Sequence, residues 1–248
     1  MKKFVVMMVL LALSSLCSAA IVNSDDTWVR EDNSDSNRNG DDFMNVRTDT
    51  DGDDNDVILL KFDLTGQTVA ASGNSLNLTW YRDDSSTGKT LSLYGLNETH
   101  AGEATWSEDD VTYDNAPGLI PDGMDPTAEL GDGHSWDDIR DLDTANLTLL
   151  VDNQAYGPQV EGDLYTFIGS ALDGFLNADT NGQVTFLIIR GEANTSGNQA
   201  RFITKEATEF HSEAEVPEGG AGAFLVVPEP ATMLLLGLGS LLSIRRRK

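Results

Sequence analysis

The sequence predicts an all-β domain, an antiparallel β-sandwich or jelly roll, and three observations carry that prediction. Apolar residues alternate: Leu76, Leu78 and Trp80 point one way while Asn77, Thr79 and Tyr81 point the other, and Leu91 and Leu93 repeat the device around Ser92. Segments rich in β-branched, aromatic or leucine residues recur at intervals of roughly 10 to 20 residues, each bounded by Gly, Asn or Asp. Helical spacing is confined to Ser170–Ala178, where Leu172, Phe175 and Leu176 share one face.

Taken in order, the expected strands are Phe43 to Arg47, Val57 to Leu64, Leu76 to Tyr81, the stretch around Leu91 and Leu93, Asn146 to Val151, Val184 to Arg190, Ala200 to Thr204 and Ala223 to Val227. Period-2 segments with one apolar face bury that face by stacking one sheet on another. Some 200 residues suffice for one such core, and no internal repeat is present.

The two ends carry different instructions. Lys2 and Lys3 precede an apolar stretch from Phe4 to Leu16, and small residues follow at Ser18, Ala19 and Ala20. This is the layout of a secretory signal peptide, so residues 1–20 are expected to be removed by signal peptidase near Ala19 or Ala20. Bulky Leu16 stands where a lipoprotein needs a small residue before Cys17. Cys17 is the single cysteine, so the processed chain has neither a disulfide nor thiol chemistry. At the other end Pro228, Glu229 and Pro230 precede an apolar run from Ala231 to Ile244, closed by Arg245, Arg246, Arg247 and Lys248. That run is shorter than the roughly 20 residues that cross a bilayer comfortably. Its terminal cations stay on the cytoplasmic side, so the body of the chain is expected across the membrane.

Charge narrows the partners. Of the 16 Lys+Arg, two open the leader and four end the chain; the segment 21–227 keeps the other ten against all but one of the 41 Asp+Glu. Such a surface excludes nucleic acid, whose phosphates need a basic patch. It repels bare anionic membranes unless cations intervene. Enzyme readings find no anchor: His100, His134 and His211 lack metal spacing, and no nucleophile elbow or phosphate-cradling glycine loop occurs. In so acidic a chain, any two carboxylates can be paired into a glycosidase on paper.

Two groups of residues suggest binding chemistry. The run Asp49-Thr50-Asp51-Gly52-Asp53-Asp54-Asn55-Asp56 concentrates carboxylates, and calcium takes roughly 6–8 oxygen ligands, so Asp49, Asp51, Asp53 and Asp56 are the candidate metal ligands. The alternative is a solvated, self-repelling loop. Asp35, Asn37, Asn39 and Gly40 match half of a calcium loop, but Val46 stands where its bidentate Glu belongs. Sugar rings stack their C–H faces on aromatics while charged and amide groups reach the hydroxyls. Tyr81, Arg82 and Asp83 at a strand end, and Trp136 in a Gly/Asp-rich stretch, are therefore the candidate glycan contacts. Trp28, Trp80 and Trp106 are assigned to the core.

Two resemblances follow. Val227-Pro228-Glu229-Pro230, the short Leu/Gly-rich run and the Arg-rich end resemble the PEP-CTERM sorting signal over 228–248. That resemblance implies transient membrane insertion and processing by an exosortase-type transpeptidase in a Gram-negative-type bacterium that makes exopolysaccharide. The phrases Asp26-Thr27-Trp28-Val29-Arg30, Asn39-Gly40, Leu59 to Leu64, Ala104 to Glu108, Val111-Thr112-Tyr113, Asn115 to Gly118 and Ala200 to Ala207 resemble, in order and spacing, the DNRLRE-type domain related to family 96 carbohydrate-binding modules. The resemblance implies a jelly roll over 21–227 that binds acidic or neutral polysaccharide. The acidic run 49–56 and the stretch 119–143 depart from the pattern. The expected role is a non-catalytic protein of the cell surface or biofilm matrix that holds extracellular polysaccharide. The alternatives are a matrix or adhesion protein with a protein partner, and a polysaccharide lyase or hydrolase.

Overall fold

A computed structural model describes residues 18–47, 55–84, 88–120, 142–190, 199–216 and 222–228. Eleven strands and one α-helix organise these segments, with short 3-10 turns at Glu31–Asn33 and Tyr113–Asn115: β1 (Ser18–Val22), β2 (Asp25–Arg30), β3 (Phe43–Val46), β4 (Asp56–Asp63), β5 (Ser75–Thr79), β6 (Lys89–Leu96), β7 (Leu147–Tyr156), β8 (Leu164–Ile168), α1 (Ser170–Ala178), β9 (Gln183–Arg190), β10 (Ala200–Ile203) and β11 (Phe224–Pro228). They form a four-stranded sheet β1-β11-β5-β8, a five-stranded sheet β2-β4-β9-β6-β7 and a two-stranded sheet β10-β3. Every pairing is antiparallel. This is the sandwich that the alternation predicts, and α1 occupies the residues with helical spacing. The first strand begins at Ser18, within the segment assigned to the leader, and the last ends at Pro228, on the sorting triplet. Among the described residues no helix is long and apolar enough to cross a membrane. Residues 1–17 of the expected leader (1–20) and the apolar tail from Ala231 lie outside the described residues.

Leu76, Leu78 and Trp80 are fully buried, as alternation requires. They meet Ile58, Leu60 and Phe62 of β4, Leu91 and Leu93 of β6, and Phe186 and Ile188 of β9 in the core between the sheets. The opposite residues of β4 and β9 are buried as well. Val57, Leu59, Leu187 and Ile189 pack under Trp106, Val111, Tyr113, Ala116 and Leu119, which lie on the long segment after β6. That cover explains why β4 and β9 read as unbroken apolar runs: both faces are withdrawn from water. Trp106 Nε1 donates to Thr185 Oγ1 on β9 (2.9 Å), and Thr185 Oγ1 donates to the Glu103 carbonyl (2.8 Å), so the cover is hydrogen-bonded as well as packed. Gly118 turns the segment at φ +85°, and a Cβ there would sit 3.1 to 3.3 Å from Leu147, Leu187 and Leu96. Helix α1 docks through Phe175, whose ring occupies the space above Gly95 where a Cβ would lie 2.6 Å away.

A buried ionic staple closes one end of the sandwich. Asp26 of β2 is 2% exposed and accepts the Lys205 backbone N–H at Oδ2 (2.8 Å). The Lys205 ammonium contacts Glu108, lies 2.9 Å from Glu206 Oε1 and 3.5 Å from Asp26 Oδ1. Glu108 Oε2 in turn accepts the Asp26 N–H (3.0 Å), tying β2, the covering segment and the chain after β10 together. Burial pushes the Asp26 carboxyl up to about 7, against the opposing pull of Lys205. Burial disfavours the charge of Lys205 too, but its hydrogen bonds to Glu108 and Glu206 outweigh that and raise it above the usual ammonium range. The folded domain therefore keeps the Asp26 proton at pH values where the unfolded chain has lost it, and this group's contribution to stability grows as pH falls from about 7 towards 4. Thermal melting should show the wild type gaining on Asp26→Asn as the pH is lowered from about 8 to 5. A constant difference between the two curves would contradict the assignment.

Candidate functional site

The candidate site is built where β5 ends. Trp80 turns into the core against Phe202, Tyr156 and Tyr165, with ring centroids 4.6, 5.2 and 6.4 Å away. The pleat then turns its successor Tyr81 to the other side. Tyr81 is held by its backbone: its N–H donates to the Arg201 carbonyl (2.9 Å) and its carbonyl accepts from His211 (3.2 Å). Its half-buried ring lies 5.1 Å from Phe43 of β3 and 5.8 Å, edge-on, from the His211 ring. The Arg201 guanidinium sits 4.4 Å over Phe43, the distance of a cation–π contact. Behind them Trp28 stacks on Phe43 at 6.2 Å, and Arg38 lies 4.9 Å over Trp28.

Beside this aromatic row, Arg82, Asp83, Val160, Glu161, His211 and Ser212 line a cavity of about 490 Å³. Asp83 Oδ1 accepts the Glu161 N–H (2.8 Å), and the Glu161 carboxylate accepts the N–H of Ser212 (3.0 Å) and its hydroxyl. These bonds fix two loops against the end of β5. Val160, 61% exposed, gives the cavity an apolar patch. Burial raises the Tyr81 phenol, and the nearby Asp42 adds to that effect while Arg201 opposes it. Burial lowers the Arg201 guanidinium, and the proximity of Arg82 lowers it further. The fold thus gathers two like-charged guanidiniums beside Tyr81, in a chain whose net charge is −25. Paired cations beside an aromatic face suit a ring that carries a carboxylate or sulfate.

The structure brings together Tyr81, Arg82 and Asp83 of the sequence-predicted contacts; Trp136 lies outside the described residues. Three further residues of the site, Phe43, Arg201 and His211, come from distant segments. Arg201 alone had a local cue, since it sits between the buried Ala200 and Phe202 and so must face outward.

The acidic candidates divide. Asp49, Asp51 and Asp53 lie outside the described residues. Asp56 opens β4 almost wholly buried; it accepts the Asn45 side-chain amide and lies 3.7 Å from the Arg30 guanidinium, so it belongs to the framework. In the half-loop, Asn37 donates to the carbonyls of Glu108 and Val111 (both 2.7 Å) and accepts the Asn39 N–H (2.8 Å), while Gly40 takes a turn at φ +89°. Asn37 therefore pins the covering segment. Asp26, Glu108 and Glu206 are the described carboxylates close enough to share a metal ion, but the Lys205 ammonium already lies among them. A second cavity, about 600 Å³, runs along α1 between Phe175 and Leu96, rimmed by Glu98, Glu103 and Asp179. Burial raises the Glu103 and Asp179 carboxyls, and Glu98 adds to the effect in both while the hydrogen bonds they accept oppose it.

Comparison with known proteins adds two findings. The PEP-CTERM protein-sorting motif matches residues 226–248, beginning on β11. No curated protein is detectably similar to the chain. The model of carbohydrate-binding module family 96 matches residues 18–144, just over half of the chain, including Trp28, Phe43, Tyr81, Arg82 and the covering segment. The chain therefore belongs to carbohydrate-binding module family 96 and ends in a PEP-CTERM sorting motif.

Proposed function

We propose that the chain is a non-catalytic, exported protein that binds anionic polysaccharide of the cell surface or biofilm matrix, through the face formed by Tyr81, Phe43, Arg82, Arg201 and His211. Family membership supports carbohydrate binding, and the sorting motif supports exosortase-dependent export to the surface of a bacterium. The observation that carries the finer reading is the Arg201 guanidinium 4.4 Å over the Phe43 ring, which itself lies 5.1 Å from the Tyr81 ring, on an otherwise acidic molecule. An aromatic face takes the apolar side of a pyranose, while guanidiniums take a uronate carboxylate by charge-assisted hydrogen bonds. Asp42 and Glu161 are close enough to affect the Tyr81 phenol and can accept from sugar hydroxyls. Removal of residues 1–20 by signal peptidase, and passage of the tail through the inner membrane, belong to the same reading.

Affinity electrophoresis of the processed domain through gels containing a polyuronate or a neutral glucan tests the site. Polyuronate should retard the wild type and lose its hold as salt is raised. Tyr81→Ala and Arg82→Ala should each weaken retention by roughly tenfold, the scale of one aromatic contact for the first and of one charge-assisted hydrogen bond for the second. Unretarded migration of the wild type, or variants held as tightly as the wild type, would remove the proposal.

The acidic run 49–56 is proposed as a structural calcium loop whose ligands include Asp49, Asp51 and Asp53. It joins β3 to β4, so an ion there would tie the strand that carries Phe43 to the main sheet. Millimolar calcium should then raise the melting temperature by several degrees, at about 100-fold excess over Kd, and chelation should reverse it. An identical melting curve in both conditions returns the run to a solvated loop.

A further inference from the structure

The four-stranded sheet β1-β11-β5-β8 has two faces of different kinds. Ile21, Leu225, Leu76, Leu78, Tyr165 and Phe167 point into the core. The alternate residues point outward: Ala20 and Val22 from β1, Phe224 and Val226 from β11, Leu164 and Ile168 from β8. Register sets Val22 beside Phe224 and Ala20 beside Val226, with Ile168 in the latter row across Ser75 of β5. Three of the five exposed large apolar side chains among the described residues, Val22 (55%), Leu164 (54%) and Ile168 (63%), lie here. The polar residues between them are bonded to their neighbours. Thr166 Oγ1 donates to Asn77 Oδ1 (2.8 Å), and the Asn77 amide donates to Ser75 Oγ (3.1 Å) and the Phe224 carbonyl (3.4 Å). Among the described residues no outward position of this sheet carries a charge, in a chain with 41 Asp+Glu and 16 Lys+Arg.

A face without charge, whose polar groups bond to one another, fits an apolar partner rather than a hydrated polysaccharide. The course of the chain selects lipid. Strand β11 ends at Pro228, and the apolar run from Ala231 to Ile244 begins three residues later, within about 11 Å at full extension. Once that run enters a bilayer, the Pro228 end of this face is held against the lipid surface. The run is also short: the residues from Ala231 to Ile244 rise about 21 Å as a helix, against a hydrocarbon core of about 30 Å. Sinking the Pro228 end of the domain by about 5–10 Å, the depth at which peripheral apolar elements sit in the headgroup boundary, makes up the difference. Only a face free of carboxylates can be sunk in this way, because desolvating an unpaired charge costs more than the apolar contact returns.

We propose that, while the tail is in place, the outward face of the four-stranded sheet rests on the bilayer, with Val22, Phe224, Val226 and Ile168 in the headgroup boundary. Its partner is a phospholipid surface, and the contact holds the Pro-Glu-Pro triplet at headgroup level. This rests on the passage of the tail into the membrane given above. It goes beyond it by giving the folded domain a lipid contact of its own.

Cys17 belongs to the leader, so the chain expressed from Ile21 to Lys248 takes single spin labels. Nitroxides on Val22→Cys, Ile168→Cys, Ala104→Cys and Leu238→Cys are read by EPR power saturation in phosphatidylcholine vesicles. Ala104 is exposed on the covering segment, on the opposite side of the sandwich, and Leu238 lies within the apolar run. Relative to the label at Ala104, those at Val22 and Ile168 should lose access to a water-soluble nickel chelate and gain access to oxygen. Ile168→Asp should release the face, returning the label at Val22 to water while the label at Leu238 stays in lipid. Full access of nickel to the Val22 and Ile168 labels, with the Leu238 label in lipid, would overturn the inference. Loss of both relaxants there, with spin–spin broadening, would assign the face to a second copy of the chain and overturn it too. A Leu238 label that stays in water would instead remove the membrane reading of the tail, and the lipid contact with it.

Discussion

Trp80 stands where the three sheets meet. Its ring is fully buried against Phe202 of the two-stranded sheet, Tyr156 of the five-stranded sheet and Tyr165 of the four-stranded sheet. Its backbone is bonded to the start of β8, through the Asp163 carbonyl (2.9 Å) and the Gly162 N–H (2.9 Å). An aromatic side chain of this size withdraws a large apolar area from water and tolerates few alternative placements. With Trp80 inward, the pleat leaves Tyr81 no choice but to face Phe43 and His211. The core contact and the candidate sugar face are thus successive residues just past the end of β5, and the first positions the second.

Charge is distributed around this frame with economy. Lys61 bridges to Asp25 (2.8 Å), lies 5.0 Å over the Trp106 ring and donates to its carbonyl. Lys205 gathers Asp26, Glu108 and Glu206. Arg190 lies 5.8 Å over Tyr156 and is 2% exposed. These cations hold the framework. Arg82 and Arg201 instead lie by the half-buried rings of Tyr81 and Phe43, where mutual repulsion would be relieved by an incoming anion. The groove along α1 has the opposite character, because three carboxylates crowd its rim. The cavity beside Tyr81 has one guanidinium in its lining, that of Arg82, whereas the groove along α1 has none.

How much of this the sequence shows depends on the range of the cause. Alternation around Leu76–Trp80 and the helical spacing of Leu172, Phe175 and Leu176 are local, and the structure has β5 and α1 there. Strand β8 escapes notice because Leu164 and Ile168, 54% and 63% exposed, are as apolar as the inward Tyr165 and Phe167 between them, which erases the period-2 pattern. Strand β7 extends to Tyr156 through Asp152, Asn153 and Gln154, where Asn153 adopts φ 46° and the pairing with β6 is irregular; polar residues at a bulge read as a loop. Tyr81, Arg82 and Asp83 are legible because they are adjacent. Phe43, Arg201 and His211 join them only through strand pairing across more than a hundred residues, which no local pattern encodes. Trp106 sits within the family match and Lys205 beyond it, and their work, covering β9 and closing the ionic staple, is visible only in three dimensions.

Aromatic proton and carbon shifts of the processed domain, followed by NMR during titration with an oligouronate, test the central claim most directly. The rings of Tyr81, Phe43 and His211 should shift together and saturably, while Phe175 in the acidic groove stays fixed. Movement of Phe175 with Tyr81 and His211 unchanged would place the polysaccharide elsewhere on the domain and contradict the account.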